Sequence, residues 1–189
     1  MNPILQHIEN SLPGIDSEVL KLVGTSFVRK ERKQGDVLLR QGEVCRNMFF
    51  LTEGISRSYS IQDGNDITTW LGFKNQFLTS FTSFFLKESS YESIEMLTDG
   101  ILFQMDNHQF EKMRMKSIEI EKIINHFIVH YSIQLEKRLF TLQTLTSTEH
   151  YKLILEQEPH LVQHIPNKHL ASYLGITRET LSRIRSSIN

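Results

Sequence analysis

The sequence predicts an α+β chain in three parts: an antiparallel β unit, one long helix and a small all-helical end. Three observations carry that prediction. Between about residues 25 and 105, short apolar runs such as "DVLLRQG", "MFFLTEG" and "ISRSYSI" alternate with Gly35, Gly42, Gly54 and Gly64, the punctuation of an antiparallel sandwich or barrel. From about Asn107 the apolar period becomes helical. Beyond "TLTSTEH", Pro159 and Pro166 bracket the start of a last segment, "LASYLGITRETLSRIRSS", whose apolar spacing suits two short crossed helices.

Taken in order, residues 1 to about 24 read as helical, with Asp16 or Ser17 as a cap and Gly24 as a stop. In the β unit, "IQDGNDI" is a hairpin signal, Asp63-Gly64 lying between alternating strands. The aromatic-rich "FKNQFLTSFTSFFL" breaks the alternation and suggests a short helix before strand texture resumes at "SIEMLTDGILFQM". The long helix carries Ile124, Ile128, Tyr131, Leu135, Leu139 and Leu142 on one stripe, widened by Ile120, Ile123 and Phe127. One side of such a surface can cover the β unit while the other pairs with a second copy as a short coiled coil. "EHYKLILEQE" predicts a further helix that Pro159 ends.

Composition excludes several classes. The 189 residues are 39% hydrophobic and 23% charged, as in ordinary globular proteins. No apolar run approaches the roughly 20 residues of a membrane helix, and "MNPILQHIEN" lacks the order of a secretory signal. The single cysteine, Cys45, forms no internal disulfide and holds no metal cluster alone. A soluble, cytoplasmic chain without a cofactor is expected. Charge is uneven: after residue 160 four basic residues face one acid, giving +3, and the rest of the chain carries -4. A basic end on a weakly acidic body fits a negatively charged partner.

The last segment meets every demand of a helix-turn-helix. Counted from Asn167, apolar residues fall at the fourth, eighth, tenth, fifteenth and eighteenth places, as Leu170, Leu174, Ile176, Leu181 and Ile184. Small Ala171 stands where the helices cross, and Gly175 stands where the turn needs positive φ. Thr177 can cap the second helix, and Glu179 suits its positive end. At 100° per residue, Leu181, Ile184 and Ile188 share the inward face. Glu179, Ser182, Arg183 and Ser186 then point outward with Arg178 at the edge. Arg178, Glu179, Ser182 and Arg183 are therefore the expected base readers, since arginine can fork onto guanine and glutamate can accept from cytosine. Lys168, Thr177 and Arg185 are expected at phosphates. Glu179 and Arg183, four apart, can alternatively pair with each other.

The order of parts, with "GDVLLRQGE", "MFFLTEG" and "TRETLSRI", resembles the Crp/Fnr family of bacterial transcription regulators over nearly the whole chain. The resemblance implies a jelly-roll-like, cyclic-nucleotide-binding-like sensor roll over residues 1–116, a dimerisation helix over 117–144 and a DNA-binding helix-turn-helix over 145–189. It implies a homodimer on double-stranded DNA, with RNA polymerase as a further partner and no membrane. It also implies that Arg178, Glu179 and Arg183 read bases. Relatives that continue into a β-wing gain backbone contacts; this sequence stops at Asn189, which gives dimerisation more weight.

Two departures matter. Members that bind cyclic AMP hold its ribose with a glutamate and its phosphate with an arginine; alignment puts Ser80 and Ser90 near those places, and no arginine occurs between Arg57 and Arg114. Burying a phosphate without a paired cation is costly, so no response to cyclic AMP is expected. Iron–sulfur members need several cysteines. Trp70, Phe77, Ser80, Phe81, Ser90 and Tyr91 are the candidate pocket for an unidentified effector, although runs of aromatics more often build core.

Other constellations are weaker. His126 and His130, four apart, are two ligands without a third, so no metal is expected. His160, His164 and His169 read as surface or phosphate contacts, and Cys45 as an idle thiol. A metal oxygenase on a β-roll needs histidines that residues 25–105 lack, so no enzyme is expected. The alternative to a DNA reader is a sensor or protein-interaction module that has lost DNA.

Overall fold

The computed structural model describes residues 2–157 and 159–188. Two helices open the chain, α1 (Pro3–Ser11) and α2 (Ser17–Thr25), where a single helical stretch was expected. Pro13 removes a backbone donor and Gly14 sits at φ 88°, which ends the first helix. Asp16 then caps α2 by accepting from the Glu18 and Val19 amides. Gly24 is not a stop. It lies inside α2, and a Cβ there would come within 2.9 Å of Leu5, so it lets the two helices approach.

The roll follows: β1 (Val28–Arg32), β2 (Val37–Leu39), β3 (Asn47–Glu53), β4 (Ser56–Gln62), β5 (Asn65–Gly72), β6 (Gln76–Leu78), the short α3 (Phe81–Leu86), β7 (Ser93–Met96) and β8 (Gly100–Asp106). The strands form two four-stranded antiparallel sheets, ordered β1-β8-β3-β6 and β2-β7-β4-β5. The expected hairpin joins β4 to β5, with Asp63 and Gly64 at φ 50° and 78°, the left-handed pair that a tight two-residue turn requires. In β3 the alternation of side chains feeds two cores. Phe49 and Leu51 point between the sheets with Leu78, Met96 and Leu102. Phe50 points outward, to Ile4, Ile8, Leu20, Val23, Ile120 and Ile123 of the flanking helices.

After α4 (Asn107–Arg114) comes α5 (Ile118–Thr144), 27 residues long, capped by Ser117 and carrying Glu119 and Glu121 in its first turn. Its N-terminal half is core. Ile120 and Ile123 are buried, Ile124 and Phe127 pack on the same cluster, and Tyr131 stacks on Phe81 at 4.9 Å. Its C-terminal half is bare: Leu135, Leu139 and Leu142 are 42%, 57% and 47% exposed. The predicted stripe therefore divides, and Tyr131 and Ile124 serve the chain's own roll. A second exposed row, Val129, Ile133 and Phe140, was not singled out in the sequence, though it repeats every four and seven residues.

Helix α6 (Ser147–Gln157) leads to α7 (Pro159–Val162), α8 (Asn167–Leu174) and α9 (Arg178–Ile188). Pro159 opens α7, a position where its missing N–H costs nothing. These helices do not stand apart from the roll. Ile55, Leu71 and Leu97 share one buried cluster with Tyr151, Ile154, Leu170, Leu174, Leu181 and Ile184. Ser172 of α8 hydrogen-bonds the edge strand β5, accepting from the Thr68 amide at 2.9 Å and donating to the Asp66 carbonyl at 3.1 Å. An open sheet edge invites pairing with other chains; here α8 covers it.

Candidate nucleic-acid interface

The α8–α9 pair takes the geometry its spacing demands. Leu170, Ala171, Leu174, Leu181 and Ile184 are all buried, and Ile176 and Ile188 pack against them. Gly175 sits at φ 70°, in the left-handed conformation that closes α8. Thr177 caps α9, its hydroxyl accepting from the Thr180 amide at 3.2 Å.

One face of α9 is left to solvent. Arg178, Glu179, Ser182, Arg183 and Ser186 are exposed, as are Thr177 and Lys168 beside them. Pro166, Asn167, Lys168, Arg178, Glu179 and Ser182 border one shallow groove. Among the described residues Glu179 and Arg183 form no ion pair; instead Arg183 Nη2 donates to Thr180 Oγ1 at 3.2 Å. The Glu179 carboxylate is held below its ordinary range, first by its own backbone amide and then by the Thr177 hydroxyl. It stays an anion and an acceptor at neutral pH.

Two expected contact residues are placed otherwise. Arg185 is half-buried. It donates to Asn167 Oδ1 at 2.6 Å, to the Tyr151 hydroxyl at 3.2 Å and to the Val162 carbonyl at 3.5 Å. It straps α9 to α6 and α8 and does not face outward. His169 is 4% exposed, not on the surface; His164 is exposed, and the His160 side chain lies outside the described residues. Burial pushes His169 down to about 4, with Arg57 and Lys168 acting in the same direction.

That depression sets a pH dependence. Unfolded, the imidazole takes up a proton near pH 6.5; folded, it resists until about 4. In that window the unfolded chain binds more protons, so stability falls as pH falls. His150, also lowered by burial, acts in the same direction. Replacing His169 by Asn is expected to remove about 2 kcal/mol of the stability lost between pH 7 and 5, read as a flatter plot of urea midpoint against pH.

Besides the shared apolar cluster, polar contacts join the C-terminal helices to the rest of the chain. Arg138 of α5 lies 3.8 Å over the Tyr173 ring and donates to the Tyr173 carbonyl at 3.3 Å, joining the long helix to α8. On the other side, Arg57 of β4 is 3% exposed and pairs with Glu95 at 2.7 Å and Asp66 at 2.8 Å, beside the strand that Ser172 grips. Neither arginine stood out from the sequence, because its importance comes from burial, which spacing does not reveal.

Inside the roll the expected pocket divides. Ser80 and Ser90 are buried and bonded to each other at 2.9 Å. Beside them Glu92, 9% exposed, accepts from Thr69 at 3.2 Å, and burial raises its pKa. A buried carboxyl group therefore stands beside Ser90, the position aligned with the phosphate-holding arginine. Tyr91 is 59% exposed. Trp70, Phe77 and Phe81 of the expected set line a cavity between the roll, α1 and α5 that Ser80, Ser90 and Tyr91 do not reach. Cys45 is buried against the Asn47 carbonyl and Thr79.

Residues 29–117 match the cyclic nucleotide-binding domain family. No curated protein matches the chain by sequence. Among solved structures, the c-di-GMP-responsive global regulator CLP of Xanthomonas campestris shares 15% identity at TM-score 0.71, covering 92% of this chain and 91% of that one. FixK2 of Bradyrhizobium japonicum shares 16% at TM-score 0.74, covering 86% and 84%. A proposed regulator of the crp/fnr family from Eubacterium rectale shares 17% at TM-score 0.70, covering 95% and 87%. At such identities the likeness is one of fold. The roll thus has the fold of cyclic nucleotide-binding domains, and its arrangement with the flanking helices is shared by these structures. Among the described residues no helix is long and apolar enough to cross a membrane.

Proposed function

We propose that this chain is a homodimeric, sequence-specific DNA-binding transcription regulator of the Crp/Fnr type that does not respond to cyclic AMP. The observation that carries the reading is the outer face of α9. Two arginines, a glutamate and a serine stand in solvent on a short helix whose opposite face is locked by Leu181 and Ile184. A helix so presented enters a major groove, with Arg178, Glu179, Ser182 and Arg183 meeting base edges and Lys168 and Thr177 meeting phosphates. The bare half of α5 pairs with a second copy, placing two readers about one helical turn apart on the duplex. The residue boundaries 1–116, 117–144 and 145–189 divide the sensing, pairing and reading roles.

Non-response to cyclic AMP rests on the roll. Arg57 is committed to Asp66 and Glu95, and Glu92 lies buried beside Ser80 and Ser90. A phosphodiester entering there would meet a carboxyl group and no cation.

Binding across a library of duplexes tests the DNA reading. Arg183→Ala should relax preference at one base position by about 1–3 kcal/mol and leave thermal unfolding unchanged, because among the described residues Arg183 bonds only Thr180. Lys168→Ala should weaken all duplexes alike and reduce the salt slope by about 1. Uniform affinity for every duplex before mutation would favour a protein-interaction module instead.

A further inference from the structure

A cavity of about 190 Å³ opens between the outer face of the β1-β8-β3-β6 sheet, α1 and the first half of α5. Ser80, Ser90 and Glu92 do not line it, so it is distinct from the buried polar cluster inside the roll. Its walls are mainly apolar and rich in aromatic rings, with Ser11, Asn75, Gln76 and Thr79 also among them. Phe77 and Phe127 meet at 4.9 Å, and Phe81 and Tyr131 stack beside Trp70. Interiors normally leave few voids larger than a water, and an apolar void of roughly 150 Å³ in another protein stays dry and takes up benzene. One end is different. His7 of α1 and His126 and His130 of α5 gather there with Gln134. His7 stacks on Phe127 at 5.3 Å. Burial, reinforced by the other two imidazoles, keeps it uncharged. Among the described residues no group of His, Cys, Asp and Glu side chains could hold a metal ion, which leaves the imidazoles as hydrogen-bonding groups. An uncharged imidazole offers one acceptor and one donor.

We infer that this cavity is a ligand site for a compact aromatic molecule of one or two rings carrying a single N–H or O–H, with the rings among Phe77, Phe81 and Phe127 and the polar atom at His7. A charged group is disfavoured, because no Asp, Glu, Lys or Arg stands among the lining residues to pair with it. The ligand would touch α5 directly, at Ile124, Phe127 and Tyr131. Downstream on that helix lie the exposed leucine row and Arg138, which grips α8. That the site adjusts DNA binding rests on the function proposed above; that the site exists does not.

The test uses the full chain and indole, with 1-methylindole as the analogue that lacks the donor. Calorimetry without DNA should show saturable indole binding with Kd below about 1 mM and weaker binding of 1-methylindole. Ile123→Phe and Met113→Trp, which fill the cavity, should bind indole at least tenfold more weakly while melting no lower than the parent. His7→Leu keeps the walls and removes the acceptor at His7; it should weaken indole at least fivefold and abolish the difference between the two probes. This variant keeps the proposal testable if a filled variant does not fold. Absence of saturable binding to the parent chain overturns the site, as does equal binding by parent and His7→Leu. The second arm measures duplex affinity with and without indole. A change in the parent but not in His7→Leu supports coupling, and no change in the parent overturns it. If the ligand-free and indole-bound parent both lack duplex preference while indole binding survives, the DNA reading fails and the site stands.

Discussion

Replacing Leu135 and Leu139 together by glutamate should produce a folded monomer whose duplex affinity is lower by a factor of about 10²–10⁴. Both side chains are largely exposed within one subunit, so the fold has little to lose. Paired across a seam, each leucine would withdraw apolar surface from water worth about 1.5–3 kcal/mol when fully buried. Glutamate in their place would bring four carboxylates of two copies into one apolar strip, where unpaired charge is costly. Two half-sites then engage separately, and the advantage of a linked second contact disappears. Sedimentation gives the oligomeric state, circular dichroism the fold, and a duplex titration at fixed salt the affinity. The seam should run along Ile128, Leu135, Leu139 and Leu142, since these fall at the 7-, 4- and 3-residue steps of a heptad. Val129→Glu with Ile133→Glu, on the other exposed row, should therefore leave the dimer intact. A double-leucine variant that remains dimeric would remove the pairing role from α5.

Legibility followed the length scale of the physics. Turn glycines, the Asp63-Gly64 hairpin and the seven positions around Gly175 act over a few residues, through backbone conformation or helical period, and they could be read from the string. The break at Pro13-Gly14 was equally local but was hidden under a helical period that runs on both sides of it. The stripe on α5 showed in the sequence, whereas its division did not, because the half that packs on the chain's own roll is decided by where Phe81 and Phe50 lie in space. The same holds for single side chains. Arg183 and Arg185 are two residues apart, and the 100° period alone separates them by 200°. What turns Arg185 into a strap is a tyrosine from α6 and an asparagine from α8, contacts that no spacing rule anticipates. Ser80 and Ser90 were aligned to a ligand-binding pair, yet Glu92 lies buried beside them. A buried carboxyl is invisible in a sequence where Glu is ordinarily a surface residue.

The buried arginine of β4 should give the largest stability change of any single polar substitution in the roll. Arg57→Met is expected to cost about 3 kcal/mol in urea unfolding at pH 7, toward the low end of the range for removing one partner of a buried pair, because Asp66 remains partly open to water and can be rehydrated. Glu95 is more enclosed and would bear most of the penalty. Restoring neutrality should recover much of the loss: Arg57→Met combined with Asp66→Asn and Glu95→Gln leaves no unpaired charge, only amides that can find partners. The consequence should not stay in the roll. Asp66 and Thr68 present the carbonyl and amide that hold Ser172, and Arg57 anchors the strand between them through Asp66 and Thr68. Loosening β5 releases α8 from the sheet edge and lets the reader helices tilt against α5. Duplex affinity of Arg57→Met should then fall even in buffer where the protein remains fully folded, and Ser172→Ala, which removes the same grip from the other side, should reproduce part of that fall with a smaller loss of stability. If Arg57→Met costs less than about 1 kcal/mol, or lowers stability while leaving duplex affinity untouched, the polar β5–α8 contact is a passive cover and the link between roll and reader runs through Arg138 and the shared apolar cluster.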